Sequence, residues 1–151
     1  MLSSPAFERV CGQVEERVIV GQDVRIHWTG CPNSCGQVQA ADIGLMGGPA
    51  KKWSEAEGKM KAVPGVKMFV GGTIGEGGQL QLETDIEGIP IEDLVPHLVE
   101  TVCTRFGGQV KPEYAEAQAA WREEQAKAAA EAEAAALAKA AAKAAKAAKV
   151  T

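Results

Sequence analysis

Aromatic side chains are scarce: three Phe, three Trp and one Tyr in 151 residues, beside 17 Gly. Such side chains dominate burial in small cores, so the chain can build only a thin one, enough for one ordinary domain. Basic residues are short too, with 16 Lys and Arg against 20 Asp and Glu and a net charge of −4. Nucleic-acid backbones are gripped by clustered Lys and Arg, and no nucleic acid is expected as a partner. No apolar run approaches the roughly 20 residues of a membrane span, so no membrane partner is expected either. The N-terminus lacks both an apolar segment and an Arg/Ser-rich leader and does not read as a signal or transit peptide. Cysteines number only four. Without a secretory signal they read as thiols or metal ligands in a reducing compartment.

What is abundant is alanine, concentrated in the last quarter. From Pro112 the chain is mostly Ala with Glu early and Lys late, a near-maximal helix propensity with charges ordered to suit the helix dipole. Trp121 and Leu137 are almost its only large apolar residues, so no buried stripe is expected. Residues 112–151 therefore read as a solvated helical tail, with Lys139, Lys143, Lys146 and Lys149 as a solubilising basic face. Residues 1–111 read as the folded domain.

Within that domain, Ser4 caps a helix over residues 5–18, with Pro5 at its first position and Phe7, Val10, Cys11, Val14 and Val18 as its apolar stripe. Asp23–Trp28 alternates as a strand, with His27 facing away from Val24 and Trp28, and Arg25 in solvent. A second strand is expected over residues 38–46, stopped by Gly47-Gly48-Pro49. A polar, lysine-rich excursion follows over 50–63, then strands near 66–70 and 79–83. Pro90-Ile91-Glu92-Asp93 opens a second helix, whose stripe is Leu94, Leu98, Val102 and Phe106 and whose end is Gly107-Gly108. His97 reads as a surface residue of it, and Cys103 as a buried free thiol. Together these give an α+β fold: a small, mainly antiparallel sheet of about four strands with packed helices, then a long projecting helix.

The chemistry concentrates in Thr29-Gly30-Cys31-Pro32-Asn33-Ser34-Cys35-Gly36. Pro32 fixes φ and withholds an N–H, and Gly30 and Gly36 permit angles closed to other residues. Such a turn can hold two sulfurs close together among free backbone N–H groups, the setting that thiolates on an iron–sulfur cluster need. By spacing alone the pair is open to other readings: half a zinc site, a disulfide, or two thiols with no common task. The stretch Gly71–Gly78, five of whose eight residues are glycine, lacks the lysine of a phosphate loop and the GxGxxG spacing. It reads as a hairpin passing close to something flat.

His27-Trp28-Thr29-Gly30-Cys31-Pro32-Asn33-Ser34-Cys35-Gly36-Gln37, followed by Ala41-Asp42-Ile43-Gly44-Leu45-Met46-Gly47, resembles the second half of the sirohaem and [4Fe–4S] signature of nitrite and sulfite reductases. The resemblance is closest to the ferredoxin-dependent nitrite reductases. Val70-Gly71-Gly72-Thr73-Ile74-Gly75 and Asp93-Leu94-Val95-Pro96 fit the same family, and the likeness runs from about Gln13 to Gly108. It implies that Cys31 and Cys35 are two of four cluster ligands, and that Cys35 also bridges to the sirohaem iron. Asn33, between them, is expected to orient the loop. The implied activity is six-electron reduction of nitrite to ammonia with ferredoxin as donor, in the chloroplast stroma of a plant or alga and otherwise in the cytoplasm.

The family's earlier C-x5-C pair has no counterpart here. Cys11 has no partner at that spacing, and the family's basic residues for sirohaem and nitrite also belong to the earlier part. The chain thus reads as a C-terminal part of such an enzyme, catalytically inert alone, with the missing N-terminal part as a partner. The alternatives are a sulfite reductase part, or a stand-alone binding module without catalysis.

Overall fold

The computed structural model describes residues 4–54 and 56–148. The chain divides into two compact units, Met1–Lys111 and Pro112–Thr151. The first opens with helix α1 (Ser4–Arg17). The cap expected from the Ser4 side chain lies outside the described residues, as do Glu55, Lys149 and the Lys146 side chain. Strand β1 (Val18–Ile19) follows directly and pairs antiparallel with β6 (Gln109–Val110). Both are too short for alternation to announce them.

Four longer strands make the main sheet, in the order β2 (Ile26–Thr29), β3 (Ile43–Ser54), β4 (Lys59–Val70), β5 (Ile86–Pro90). Pairs β3/β4 and β4/β5 are antiparallel, while β2 and β3 run parallel, Ile26 opposite Ile43 and Thr29 opposite Met46. The sheet is therefore mixed, and the α+β architecture is as expected.

Four local expectations are overturned. Gly47-Gly48-Pro49 does not stop a strand: β3 runs through it, with Pro49 opposite Pro64 of β4. At Pro49, β3 has passed the end of β2, and at Pro64, β4 has not reached β5. Both prolines thus have an open side where a missing N–H deletes no ladder bond. Residues 50–63 accordingly form the outer half of a β-hairpin, turned at Gly58 with φ 60°. Residues 38–40 are a 3₁₀ turn and 79–83 carry no strand; β5 begins only at Ile86.

A 3₁₀ turn at Ile91–Asp93 leads into α2 (Leu94–Phe106), which ends at Gly107 in the left-handed region, φ 68°. Leu94, Val95, Leu98, Val99 and Val102 of α2 meet Ile43, Leu45, Val66, Met68, Val70 and Ile89 of the sheet in one core, joined by Val14 of α1. Cys103 is half-buried against it. His97 is half-buried rather than on the surface, and burial pushes its imidazole pKa below the usual value while Asp93 opposes the shift.

The second unit is a single helix, α3 (Pro112–Ala148). Tyr114, Gln118, Trp121 and Gln125, one helical face of its first turns, are its less exposed positions, a stripe that its alanine-rich composition conceals. From Ala126 to Ala145 every residue is exposed, Lys139 and Lys143 included. No helix among the described residues is long and apolar enough to cross a membrane.

Candidate metal centre

Parallel strands need a crossover of about a dozen residues, usually a helix. Between β2 and β3 that crossover is residues 30–42, which carry both cysteines and only one 3₁₀ turn. So short a connection has to lie tight against the strands it joins. A Cβ at Gly36 would meet the Trp28 carbonyl oxygen at 2.5 Å, and one at Gly44 would run into the Val38 backbone. Glycine is required at both for closeness. Neither Gly30 nor Gly36 has positive φ; the left-handed residues of the loop are Ser34 (φ 53°) and Gln37 (φ 49°). Non-glycine residues held there are concentrated at functional sites.

The loop fixes itself by short-range bonds. Ser34 N–H donates to the Cys31 carbonyl (3.2 Å), Gln37 N–H to Ser34 (2.8 Å) and Ala40 N–H to Gln37 (3.0 Å). Ser34 Oγ donates to Gln39 Oε1 at 2.6 Å, and His27 Nδ1 lies 3.3 Å from the Gln37 carbonyl oxygen. Asn33 is exposed and makes no side-chain hydrogen bond among the described residues. The side-chain contacts within the loop come from Ser34, Gln39 and His27. Trp28, the last strand residue but one before the loop, stacks edge-on against Phe7 of α1 (5.7 Å, 89°), and its buried indole N–H has no partner among the described residues.

Behind the loop, Arg25 is not idle in solvent. Its Nε and Nη2 donate to the two carboxylate oxygens of Asp42 at 3.0 and 3.3 Å, and the Arg25 backbone N–H adds a third bond at 2.9 Å. The guanidinium holds the Asp42 carboxyl below the usual carboxylate range, against a smaller opposing effect of burial. This pair locks the start of β2 to the start of β3, fixing the end of the crossover at Asp42. The sequence signal was a single acid directly before an apolar strand.

The glycine-rich segment docks against the same crossover. Gly71 N–H donates to the Asp42 carbonyl (2.9 Å) and Gln81 N–H to the Gln39 carbonyl (2.8 Å). Thr73 and Gln79 close the hairpin, N–H to carbonyl and N–H to Oγ1, both at 2.8 Å. Asp85 anchors its return by accepting from Val70 N–H (2.7 Å) and Arg105 Nη2 (2.9 Å).

Cys31 and Cys35 are exposed free thiols on this ordered loop. The other two cysteines stand elsewhere, Cys11 on α1 and Cys103 on α2. Burial, then Glu15, raises the Cys11 thiol pKa, which makes it a poor thiolate. No group of three or more potential His, Cys, Asp or Glu ligands occurs among the described residues. The donors suit an iron–sulfur cluster in kind and supply half its number, since a [4Fe–4S] cluster takes four thiolates.

A sequence model of the nitrite and sulphite reductase 4Fe-4S domain matches residues 21–122. The chain belongs to that family. It is 46% identical over 99 residues to the chloroplastic ferredoxin–nitrite reductase of Zea mays, covering 66% of this chain and 16% of that enzyme. With the ferredoxin–nitrite reductase of Leptolyngbya laminosa it shares 44% over 100 residues, 66% of this chain and 18% of the relative. A Pinus sylvestris ferredoxin–nitrite reductase sequence is 37% identical over 99 residues and is covered over 89% of its length. The chain thus spans about a sixth of the maize enzyme. The match begins after α1, at residue 21, and runs into α3, past the Gly108 limit of the motif resemblance.

Proposed function

We propose that residues 1–111 form the C-terminal cluster-bearing part of a ferredoxin-dependent nitrite reductase, with residues 112–151 a helical tail. The observation that carries this is the pair of exposed thiols, Cys31 and Cys35, on a short crossover anchored at Asp42, in a chain of this family. In this reading Cys31 and Cys35 would hold a [4Fe–4S] cluster as two of its four thiolates, and Cys35 would also serve the sirohaem. When bound, these groups supply single-electron relay and an iron for the substrate nitrogen.

The chain's own residues hold the sulfurs still. Ser34 and Gln37 in the left-handed region, with their backbone bonds, fix the turn, and Arg25 with Asp42 fixes the end of the crossover where β3 begins. A ligand loop that moves little between oxidation states lowers the reorganisation cost of electron transfer. The two missing thiolates come from another polypeptide stretch, so the chain alone is inert. Ferredoxin is the electron donor and nitrite the substrate. The compartment is the chloroplast stroma if the source is a plant or alga.

A chimera tests this: residues 21–122 replace the matching stretch of the maize enzyme. It is expected to bind iron and acid-labile sulfide and to form ammonia from nitrite with reduced ferredoxin, whereas the isolated chain does neither. Cys35→Ser in the chimera is expected to lose both cluster and activity. A Cys35→Ser chimera with normal cluster content would overturn the ligand assignment, and turnover by the isolated chain would overturn its inertness.

A further inference from the structure

Three of the large apolar side chains left exposed among the described residues fall on one excursion, the glycine-rich hairpin: Ile74 at 58%, Leu80 at 63% and Leu82 at 74%. Scattered exposed apolar residues need no explanation, but clustered ones mark contact surfaces. Leu80 and Leu82 also share a groove of about 360 Å³ with Ser34, Gln37, Gln39 and Ala40 of the cysteine crossover. The apolar surface is therefore continuous with the loop that presents the two thiols.

Charge narrows the occupant. Between Lys67 and Arg105 the chain has no Lys or Arg. Asp85, Glu87, Glu92 and Asp93 are each paired with a cation. Glu76 and Glu83, on the hairpin itself, are exposed and pair with no cation among the described residues. The face is apolar, acidic and beside a half-complete thiolate set.

From this juxtaposition we propose that the Leu80–Leu82 edge of the glycine-rich hairpin is the docking surface for a basic polypeptide segment carrying the second pair of cluster thiols. The inference rests on the cluster reading for the task of the thiols, and adds where the completing partner sits. The groove is lined in part by Ser34, Gln37, Gln39 and Ala40, so a segment seated in it lies against the loop that carries Cys31 and Cys35. The hairpin's hydrogen bonds to Asp42 and Gln39 hold this seat in fixed register with the ligand loop. Lysines and arginines on the segment would meet Glu76 and Glu83.

The test co-expresses the full chain with a tagged portion of the Zea mays enzyme preceding the stretch that it matches. Co-purified chain, iron and acid-labile sulfide are measured. The expected result is co-purification with iron, reduced about ten-fold or more by the double substitution Leu80→Asp, Leu82→Asp. The circular dichroism melt of that variant alone should match the wild type, because neither side chain is buried. Cys31→Ser with Cys35→Ser should keep the chain bound but lose the iron. Unchanged iron in that cysteine variant would overturn the ligand assignment while leaving the docking face supported. The docking proposal is overturned if the Asp variant co-purifies as well as the wild type, or if the wild type fails to co-purify. It is also overturned if light scattering finds the isolated chain dimeric and the Asp variant monomeric, since the occupant would then be a second copy.

Discussion

Leu98 on α2 has none of its surface exposed, and Leu137 on α3 is 66% exposed. Both are leucines inside helices, yet the helices form for different reasons. Alpha2 is short, 13 residues, near the length at which isolated helices are marginal, and it depends on burial against the sheet. Alpha3 is 37 residues long and mostly alanine, so propensity summed over many turns carries it, with Glu toward its start and Lys toward its end. In the first unit a side chain matters for what it touches. In the exposed half of α3 it matters for how it suits a helical backbone.

The sharpest break of that comparison is Leu98→Ala against Leu137→Ala. Removing Leu98 leaves a cavity under the sheet and should cost about 2–5 kcal/mol, read as a lower urea midpoint. Removing Leu137 should change the midpoint by no more than a few tenths of a kcal/mol, because alanine is the better helix former and nothing is unpacked. A loss above about 1 kcal/mol at Leu137 would show that this part of α3 is buried in solution.

Next in size is Asp42→Asn. It removes the charge from a two-pronged pair that ties β2 to β3, and should cost about 1–2 kcal/mol, discounted for partial exposure. Because Arg25 depresses the Asp42 pKa, this stability is present above the unfolded carboxyl value of about 4 and is lost as pH falls through the folded one. The wild-type advantage over Asp42→Asn should therefore shrink in acid. Ala134→Gly, in the exposed helix, should cost about 1 kcal/mol of local helix stability. It should lower ellipticity at 222 nm without moving the unfolding midpoint of the first unit.

The same contrast explains how much was legible in advance. Long periodic segments were readable, and α1, α2 and α3 lie close to their expected ranges, because a helix writes its buried stripe or its propensity into each turn. The cysteine motif's spacing was open to several readings, and it was the run of residues around it that pointed to the family. Pairing partners were not. Proline and glycine at 47–49 ordinarily break strands, and only the sheet order reveals that Pro49 sits on an open side. The parallel β2/β3 pairing, and with it the crossover that carries the thiols, is a long-range fact with no local signature. Arg25 and Asp42, Asp85 and Arg105 are likewise partners across many residues. Asn33 drew attention by lying between the cysteines, yet Ser34 holds the turn.

The smallest effect expected is a pH slope from His97. Its imidazole is half-buried on α2, beside a small groove of about 270 Å³ with Asp85, Glu100, Thr101, Thr104 and Arg105. Burial lowers its pKa, with Asp93 opposing. A histidine whose folded pKa lies below its unfolded value of about 6.5 binds fewer protons when folded, so unfolding becomes easier as pH falls. Its neutral form is accommodated fully above about pH 6.5, and stability is lost as pH drops through that value toward the folded pKa. His97→Gln should flatten this slope in urea titrations run from pH 7.5 to 5, while leaving the midpoint at pH 7.5 nearly unchanged. The exposed half of α3 has no histidine. The slope should therefore appear in the unfolding of the first unit and be absent from helicity lost by Ala134→Gly. A slope that persists in His97→Gln would overturn the assignment of the titration to His97.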